Sequence, residues 1–480
     1  MGGNYLILPH SFRRLKNDTT LLVNSGGDFL FLRDANFKNF INHNLDPDDV
    51  VTLDLESKGF LSFADHDLAV NLASVKYRTR KGFLKNFTSL HMMVVTVRCN
   101  QKCEYCQVSC EGEDALQYDM DIDTSRKIVD FIFNSPNENI KIEFQGGEPL
   151  LNWDVIQAVV EYANEKNIIS KKNLSFVICT NLTLMTSEKL SYIKSKNIQI
   201  STSLDGPASI HDHNRKLRTL KSSHEAVVEK LKKCFELGVP ISALMTTTRK
   251  SLHDFPRIVD EYISRGFEGI FFRPLNPYGF AHEKIKEIGY SPDEFVEAYR
   301  AGLDYIIEQN KAGRYFVEYY AQLLLTRILT SYPTGFVDLQ SPAGTGISGV
   351  IYDYNGDIYP SDEGRMLSRM GNNYFRLGNV CQDKYTDVFN GEKLKHIVTD
   401  SCIETTPSCG WCAYQIYCGV DPVRNYLETG NVVGLRPGSF FCEMHLALFD
   451  MLFDMLSKAE PSNLDVFWSW VIPQKVTKNA

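Results

Sequence analysis

Strand-like and helix-like segments alternate along most of this chain, which predicts an α/β protein built on a parallel sheet. Three observations support that prediction. Short apolar runs rich in β-branched residues alternate six times with helical patterns between His91 and about Thr330. Hydrophobic residues make up 43% of the sequence, ample for a packed core, which excludes global disorder. A chain of 480 residues suggests about three domains.

The first unit spans residues 1–75. Leu21–Asn24 and Phe29–Leu32 read as strands flanking the turn Ser25-Gly26-Gly27-Asp28. Phe37–Asn42 and Leu53–Gly59 read as short helices and Phe60–Ser62 as a closing strand, a small winged-helix-like pattern. Residues 76–90 open on a basic stretch and read as a solvated linker.

In residues 91–330 the strands are Met92–Val97, Ile140–Phe144, Leu174–Cys179, Ile198–Ser203, Ile241–Thr247 and Gly269–Arg273. The helices are Thr124–Phe133 (capped by Asp123 or Thr124), Trp153–Lys166, Ser187–Lys196, Ser223–Leu237, Asp254–Arg265 and one starting at Pro292. Periodicity leaves an open, partial barrel and a doubly wound sheet as alternatives. Residues 331–448 are loop-rich and cysteine-rich, with a hairpin around Asn355-Gly356. Residues 449–480 hold the end of a terminal helix, Leu446–Leu456, and a tail expected to pack loosely after Pro461.

The formal net charge of −8 argues against a dedicated nucleic-acid binder. No run approaches the ~18 apolar residues of a membrane span. The N-terminus lacks a secretory signal, and Leu6 stands where a myristoylation signal needs Ser or Thr, so a cytoplasmic location is expected.

Twelve cysteines are the most informative count. Eight fall into two groups, Cys99–Cys110 and Cys402–Cys418, and clusters of this kind in a chain that needs no disulfides point to metal. Cys99, Cys103 and Cys106 are spaced C-x3-C-x2-C directly after a strand, where α/β domains build their sites. Three thiolates leave one iron of a [4Fe–4S] cluster open to a substrate. Cys110 is a further thiol in reach, but Glu111 follows it where a ferredoxin-type run has Pro. A structural zinc loop is the alternative. In the second group Cys409, Cys412 and Cys418, with the distant Cys442, make a closed four-thiolate site suited to electron transfer or structure; a zinc ribbon is the alternative. Cys179 and Cys234 read as core, and Cys381 and Cys402 have no assignment.

Cys99–Cys106, with an aromatic residue before the third cysteine, resembles the motif of the radical S-adenosylmethionine (SAM) family, and further matches follow in order at strand ends. Gly146-Gly147-Glu148-Pro149 is similar to the segment that binds the methionine amino group, with Glu148 available to an ammonium. Asn181 ends the third strand. Ser203 and Asp205 resemble the pair that contacts the ribose, and Arg215 the arginine that pairs with the methionine carboxylate. The resemblance implies a partial (β/α)6 TIM-type barrel. It also implies a [4Fe–4S] cluster on Cys99, Cys103 and Cys106 with SAM on its open iron, and hydrogen abstraction by a 5′-deoxyadenosyl radical.

The C-terminal segment resembles a SPASM domain, which in full form binds two auxiliary clusters. Cys409, Cys412, Cys418 and Cys442 match one ligand set and imply one auxiliary [4Fe–4S] cluster. Pro422, Ser361 and Ser341 stand where the other set expects cysteines. Asp362 matches the position of a proposed general base in sulfatase-maturing relatives, and Glu363 beside it is equally competent.

Four strings, His91–Cys99, Tyr105–Ser109, Tyr359–Met366 and Cys418–Pro422, look most like the B-type maturase of His-Xaa-Ser peptide systems. That resemblance implies oxidative crosslinking within His-Xaa-Ser motifs of a ribosomally made precursor. It further implies a leader captured by the first unit through β-augmentation, a one-electron reductant such as flavodoxin or ferredoxin, and room for a companion maturase. The alternatives are oxidation of a Ser or Cys side chain, as in sulfatase maturation, and a non-enzymatic zinc-stabilised peptide-binding module.

Overall fold

The computed structural model describes residues 5–16, 18–63, 66–219 and 221–472; Gly2 and the last eight residues lie outside them. In the first unit β1 (His10–Arg14), β2 (Thr19–Asn24) and β3 (Phe29–Arg33) form an antiparallel sheet in chain order. Helices α1 (Asp34–Ile41) and α2 (Val50–Ser57) cover it, and Leu22, Phe40, Leu55 and Phe60 bury a core of its own. Helix α3 (His66–Arg80) follows the first unit's sheet and runs into residues 76–80. The expected solvated linker is therefore helical at its start. Arg80 is buried, donating from Nε to Gly26 O at 3.0 Å and from Nη1 to Arg327 O at 2.7 Å.

The barrel strands are β4 (Leu90–Thr96), β5 (Asn139–Gly146), β6 (Asn173–Thr180), β7 (Gln199–Ser203), β8 (Ile241–Thr246) and β9 (Phe272–Arg273). They lie side by side in chain order, each pair parallel. A doubly wound sheet would reverse that order at a switch point, so the (β/α)6 partial barrel stands. The helices between and after them are α4 (Ile122–Phe133), α5 (Trp153–Ser170), α6 (Ser187–Ser195), α7 (Ser223–Leu237), α8 (Phe255–Ser264) and α9 (Pro292–Lys311). The cap of α4 is Asp121, whose carboxylate accepts from Thr124 N at 2.6 Å, rather than Asp123 or Thr124. The run 269–273 is broken: Phe272–Arg273 pairs with β8, while Gly269–Ile270 turns to pair with Val317–Glu318.

After helix α10 (Tyr319–Leu329), strand β10 (Gly349–Tyr352) joins the barrel sheet beside β4, parallel to it. Strands β11 (Asp357–Tyr359) and β12 (Gly378–Asn379) continue it antiparallel, making nine strands in all. Helices α11 (Asp362–Arg369), α12 (Pro422–Thr429), α13 (Phe440–Ser457) and α14 (Pro461–Val471) complete the chain. The expected boundary at 448/449 falls inside α13, which starts earlier than Leu446 and carries Cys442 in its first turn.

The tail after Pro461 is not loose over its described part. Phe467 and Trp470 are both 0% exposed in the main core. Trp470→Ala should cost about 3–5 kcal/mol, read as a lower urea midpoint; an unchanged midpoint would mean α14 contributes no packing.

Candidate active site and auxiliary cysteine site

The first cysteine loop leaves β4 and is fastened on both sides. Cys99 N donates to Glu111 O at 3.1 Å and Glu111 N to Val97 O at 3.0 Å. The short strand Gln101–Cys103 pairs antiparallel with Arg215–Leu217, and Phe280 N donates to Cys106 O at 2.9 Å. Between the cysteines, Tyr105 is buried and donates its hydroxyl hydrogen to Asp205 Oδ2 at 2.7 Å. Arg215 Nη1 donates to that same Tyr105 oxygen at 2.6 Å, and its guanidinium lies 5.8 Å from the ring centroid. Asn214 Nδ2 adds a 3.2 Å bond to Asp205.

A cavity of about 400 Å³ opens above the strand ends. Cys99, Cys103, Cys106, Gly146, Gly147, Asn181, Ser203 and Arg215 all line it. Cys179, expected in the core, lines it too. The glycine pair is needed where the strand end meets the cysteine loop: a Cβ on Gly147 would lie 2.3 Å from Arg98 O and 2.5 Å from Val97 O.

Two expected contacts turn elsewhere. Glu148 is 0% exposed and accepts from Leu150 N, Thr180 Oγ1 and Asn181 N at 3.0, 2.6 and 2.7 Å. Its carboxylate thus ties the end of β5 to the end of β6 and does not line the cavity. Burial raises its pKa against the pull of those donors. Asp205 is likewise committed to Tyr105 and Asn214 and serves the loop from behind. Both residue types at strand ends read as ligand contacts in a sequence; only the packing reveals that their oxygens are taken.

The cavity wall carries polar hydrogens without partners. Arg215 Nε and Gln101 Nε2 are buried and unsatisfied. Beside three thiols they suit an anionic, carboxylate-bearing ligand. Cys110 also lines the cavity, its thiol donating to Gln101 O at 3.8 Å, and its closeness to Cys106 lowers the pKa of Cys106 and raises that of Cys110. Among the described residues no His, Cys, Asp or Glu trio converges on a single-ion site. A four-iron cluster sets its thiolates around a cube, wider apart than the ligands of one ion.

A second cavity of about 400 Å³ adjoins the first, sharing Glu143, Gln145, Leu244, Arg273 and Asp362 as walls. Its apolar side is aromatic, with Phe271, Phe336 and Phe440. Its polar side carries Asp338, Glu363, Asp421 and Arg424. Asp362 sits at the junction. Its Oδ1 has no hydrogen-bond partner, and Arg365 Nη1 stands 4.0 Å away. Burial raises the Asp362 pKa to about 7; Arg365 opposes the rise and Glu363 adds to it. Arg273, missed in the sequence, lines both cavities, and its guanidinium forms no hydrogen bond or ion pair among the described residues. It carried no signal there because its role depends on the break in the 269–273 strand.

Two of the positions where cysteine was expected begin helices. Ser361 caps α11, accepting from Gly364 N at 3.3 Å. Pro422 is the first residue of α12, whose cap Asp421 accepts from Val423 N and Arg424 N, both at 2.9 Å. Ser361 and Asp421 line the second cavity. Ser341 lies elsewhere, bonded to Glu404.

Cys409, Cys412 and Cys418 come together on one loop with Cys442 from the first turn of α13, all within electrostatic range. Cys409 and Cys418 pack against Ala343, Ile403 and Val420. Cys402 stays apart, with Glu404 and Lys81 as its charged neighbours.

The Radical SAM superfamily model matches residues 93–262. An uncharacterized protein of Methanocaldococcus jannaschii is 31% identical over 227 residues, 47% of this chain and 71% of that one. A cysteine-type anaerobic sulfatase-maturating enzyme of Clostridium novyi is 22% identical over 377 residues, 75% of this chain and 95% of that one. Among solved structures, native anSMEcpe with bound AdoMet superposes with TM-score 0.66 at 18% identity, covering 79% of this chain and 99% of that one. Streptococcus suis SuiB bound to precursor peptide SuiA gives TM-score 0.54 at 15% identity, covering 91% of this chain and 99% of SuiB.

The chain belongs to the radical SAM superfamily. It is an enzyme of that superfamily, whose members use a [4Fe–4S] cluster and SAM, and whose SPASM-type members carry auxiliary clusters. The non-enzymatic binding module is thereby set aside.

Asp205→Ala strands the buried Tyr105 hydroxyl and should cost about 1–3 kcal/mol. Asp205→Asn, which keeps an acceptor, should recover part of that in the same denaturation measurement. Equal midpoints for wild type and Asp205→Ala would remove Asp205 as the anchor of the cysteine loop.

Proposed function

We propose that this enzyme is a maturase that oxidatively crosslinks side chains within His-Xaa-Ser motifs of a ribosomally made precursor peptide. The observation that carries this reading is the pair of joined cavities, with Asp362 at their junction. One is lined by the cysteine triad; the other has the aromatic walls and polar groups suited to peptide side chains. When bound on Cys99, Cys103 and Cys106, the cluster and SAM supply the radical that takes a hydrogen atom from substrate.

The chain's own residues do the rest. Arg215 and Gln101 offer their free hydrogens to the SAM carboxylate, and Gly146, Gly147, Asn181 and Ser203 shape the wall against its remaining polar groups. Glu148 and Asp205 hold that wall from behind. In the second cavity Arg273 orients the peptide through a backbone carbonyl. Forming the crosslink removes two electrons, so a proton must leave the substrate; Asp362, or Glu363 beside it, receives it. A closed site on Cys409, Cys412, Cys418 and Cys442 gives the second electron a destination.

The peptide class is supported by SuiB, which was solved with its precursor and whose fold extends over 91% of this chain. In the first unit, outer strands β1 and β3 each have one hydrogen-bonded neighbour in their sheet, leaving an edge for a leader to extend. No helix among the described residues is long and apolar enough to cross a membrane. Flavodoxin or ferredoxin fits as electron donor, with or without a companion maturase.

The test is co-expression with a neighbouring short repeat-bearing precursor, followed by tandem mass spectrometry. The expected product lacks two hydrogens and resists fragmentation between His and Ser. Ready cleavage at every residue of the repeat would instead favour a second reading, alcohol or thiol oxidation to an aldehyde. That reading is supported by the likeness to the Clostridium novyi sulfatase-maturating enzyme.

Asp362 acts as base only when ionised, so the product-forming rate should climb with pH and level off above about 7. Asp362→Asn should lower product formation by about 10²–10⁴-fold while methionine release from SAM continues. A flat pH profile with an active Asp362→Asn variant would move the role to Glu363.

A further inference from the structure

We infer that Arg436 is the charge-compensating residue of the auxiliary cysteine site and sets the reduction potential of the cluster held there. The inference rests on the assignment of Cys409, Cys412, Cys418 and Cys442 as one ligand set. Arg436 is 4% exposed, on the loop leading into α13. Its Nε donates to Val433 O at 3.0 Å, which fixes the direction of the side chain. Its Nη2 is buried with no hydrogen-bond partner. Its carbonyl oxygen accepts from Ser439 N at 3.0 Å and Ser439 Oγ at 2.9 Å, which places it at the cap of the helix that carries Cys442, and Cys409, Cys418 and Cys442 act on its charge more strongly than Asp421 does. Asp421 is already engaged by Val423 N, Arg424 N and the Tyr278 hydroxyl, the last at 3.3 Å.

An unpaired guanidinium is costly in a protein interior. The groups left to compensate it are the thiols, and they do so only as thiolates, as they are when ligating metal. The site has a second feature of the same sign. Cys442 is the third residue of α13, its N–H bonded to the cap Ser439 at 3.2 Å, so its sulfur lies at the positive end of an eighteen-residue helix. A four-thiolate iron–sulfur cluster is anionic and gains a further negative charge on reduction. A fixed cation beside it therefore favours the reduced form and raises the potential. This is the direction needed for a cluster that accepts an electron from an oxidised substrate. Beside Cys412 the charged neighbours Arg13 and Asp450 hold each other at 2.5 Å.

The test uses the full chain, reconstituted anaerobically, with Cys99, Cys103 and Cys106 all changed to Ala so that the auxiliary cluster is read alone. Electron paramagnetic resonance follows its reduction against a controlled potential in three proteins: Arg436 retained, Arg436→Met and Arg436→Lys. Methionine keeps much of the apolar stem and removes the charge. The expected result is about a tenfold smaller reduced-to-oxidised ratio for Arg436→Met at a fixed poise, ~59 mV for one electron, with Arg436→Lys close to the parent. An unshifted midpoint in Arg436→Met with its iron intact overturns the inference alone. Loss of iron from both variants also overturns it, because lysine carries the same charge. Absence of a second cluster from the parent, or zinc in its place, overturns the four-cysteine assignment and the inference together.

Discussion

The hydrogen bond from Tyr105 to Asp205 is the constraint on which the active site depends. Asp205 belongs to the segment after β7 and Tyr105 to the loop after β4, strands separated by two others in the sheet. Their bond spans the mouth of the barrel. Arg215 closes the arrangement from a third segment, donating to Tyr105 while its backbone pairs with Cys103. Three thiols on one loop would otherwise be free to reorient. Buried donors and acceptors hold their directions because each unmade bond costs ~1–3 kcal/mol, and here the acceptor is a carboxylate, which strengthens the set. The aromatic residue in the cysteine motif thus works as a fastening.

The sequence made the barrel legible because alternation depends on local pattern alone. Strand ends were placed to within a residue or two, and the cysteine triad, the glycine pair, Asn181, Ser203 and Arg215 all reach one cavity. What it misjudged depends on who sits behind whom. Glu148 and Asp205 have the chemistry of ligand contacts, yet their oxygens are taken by backbone and side-chain donors. Cys179 has the pattern of a core strand residue, yet the open barrel turns it toward the cavity. Lys76–Arg80 read as a solvated connector because charge was visible and the pairing of Arg80 with distant carbonyls was not. The tail was judged from its position, while Phe467 and Trp470 were the better guide.

Ser361 and Pro422, where the family resemblance led one to expect cysteines, carry ordinary local structure. Each position starts a helix, one as cap and one as the first residue. The acids that follow or precede them, Asp362 and Asp421, face a cavity. Within the C-terminal region Arg365 is fully buried and bonded to Asp353 at 3.2 Å. Aromatic walls, carboxyls of raised pKa and an unpaired Arg273 remain available to substrate.

The parallel pairing of β10 with β4 also bears on how the chain reaches its native state. Leu90 lies opposite Gly349, so the outer edge of the barrel's first strand stays unpaired until nearly three-quarters of the chain has been made. Contacts that close so long a loop form late. Until then β4, with Met93, Val94 and Val95 all 0% exposed in the finished protein, presents an apolar ribbon with free backbone groups. Such edges recruit other chains. A fragment ending after the sixth β/α unit would keep that edge permanently. The barrel is therefore complete as a pattern well before it is safe as a soluble object, and the C-terminal region is as much its closing seam as a carrier of cysteines.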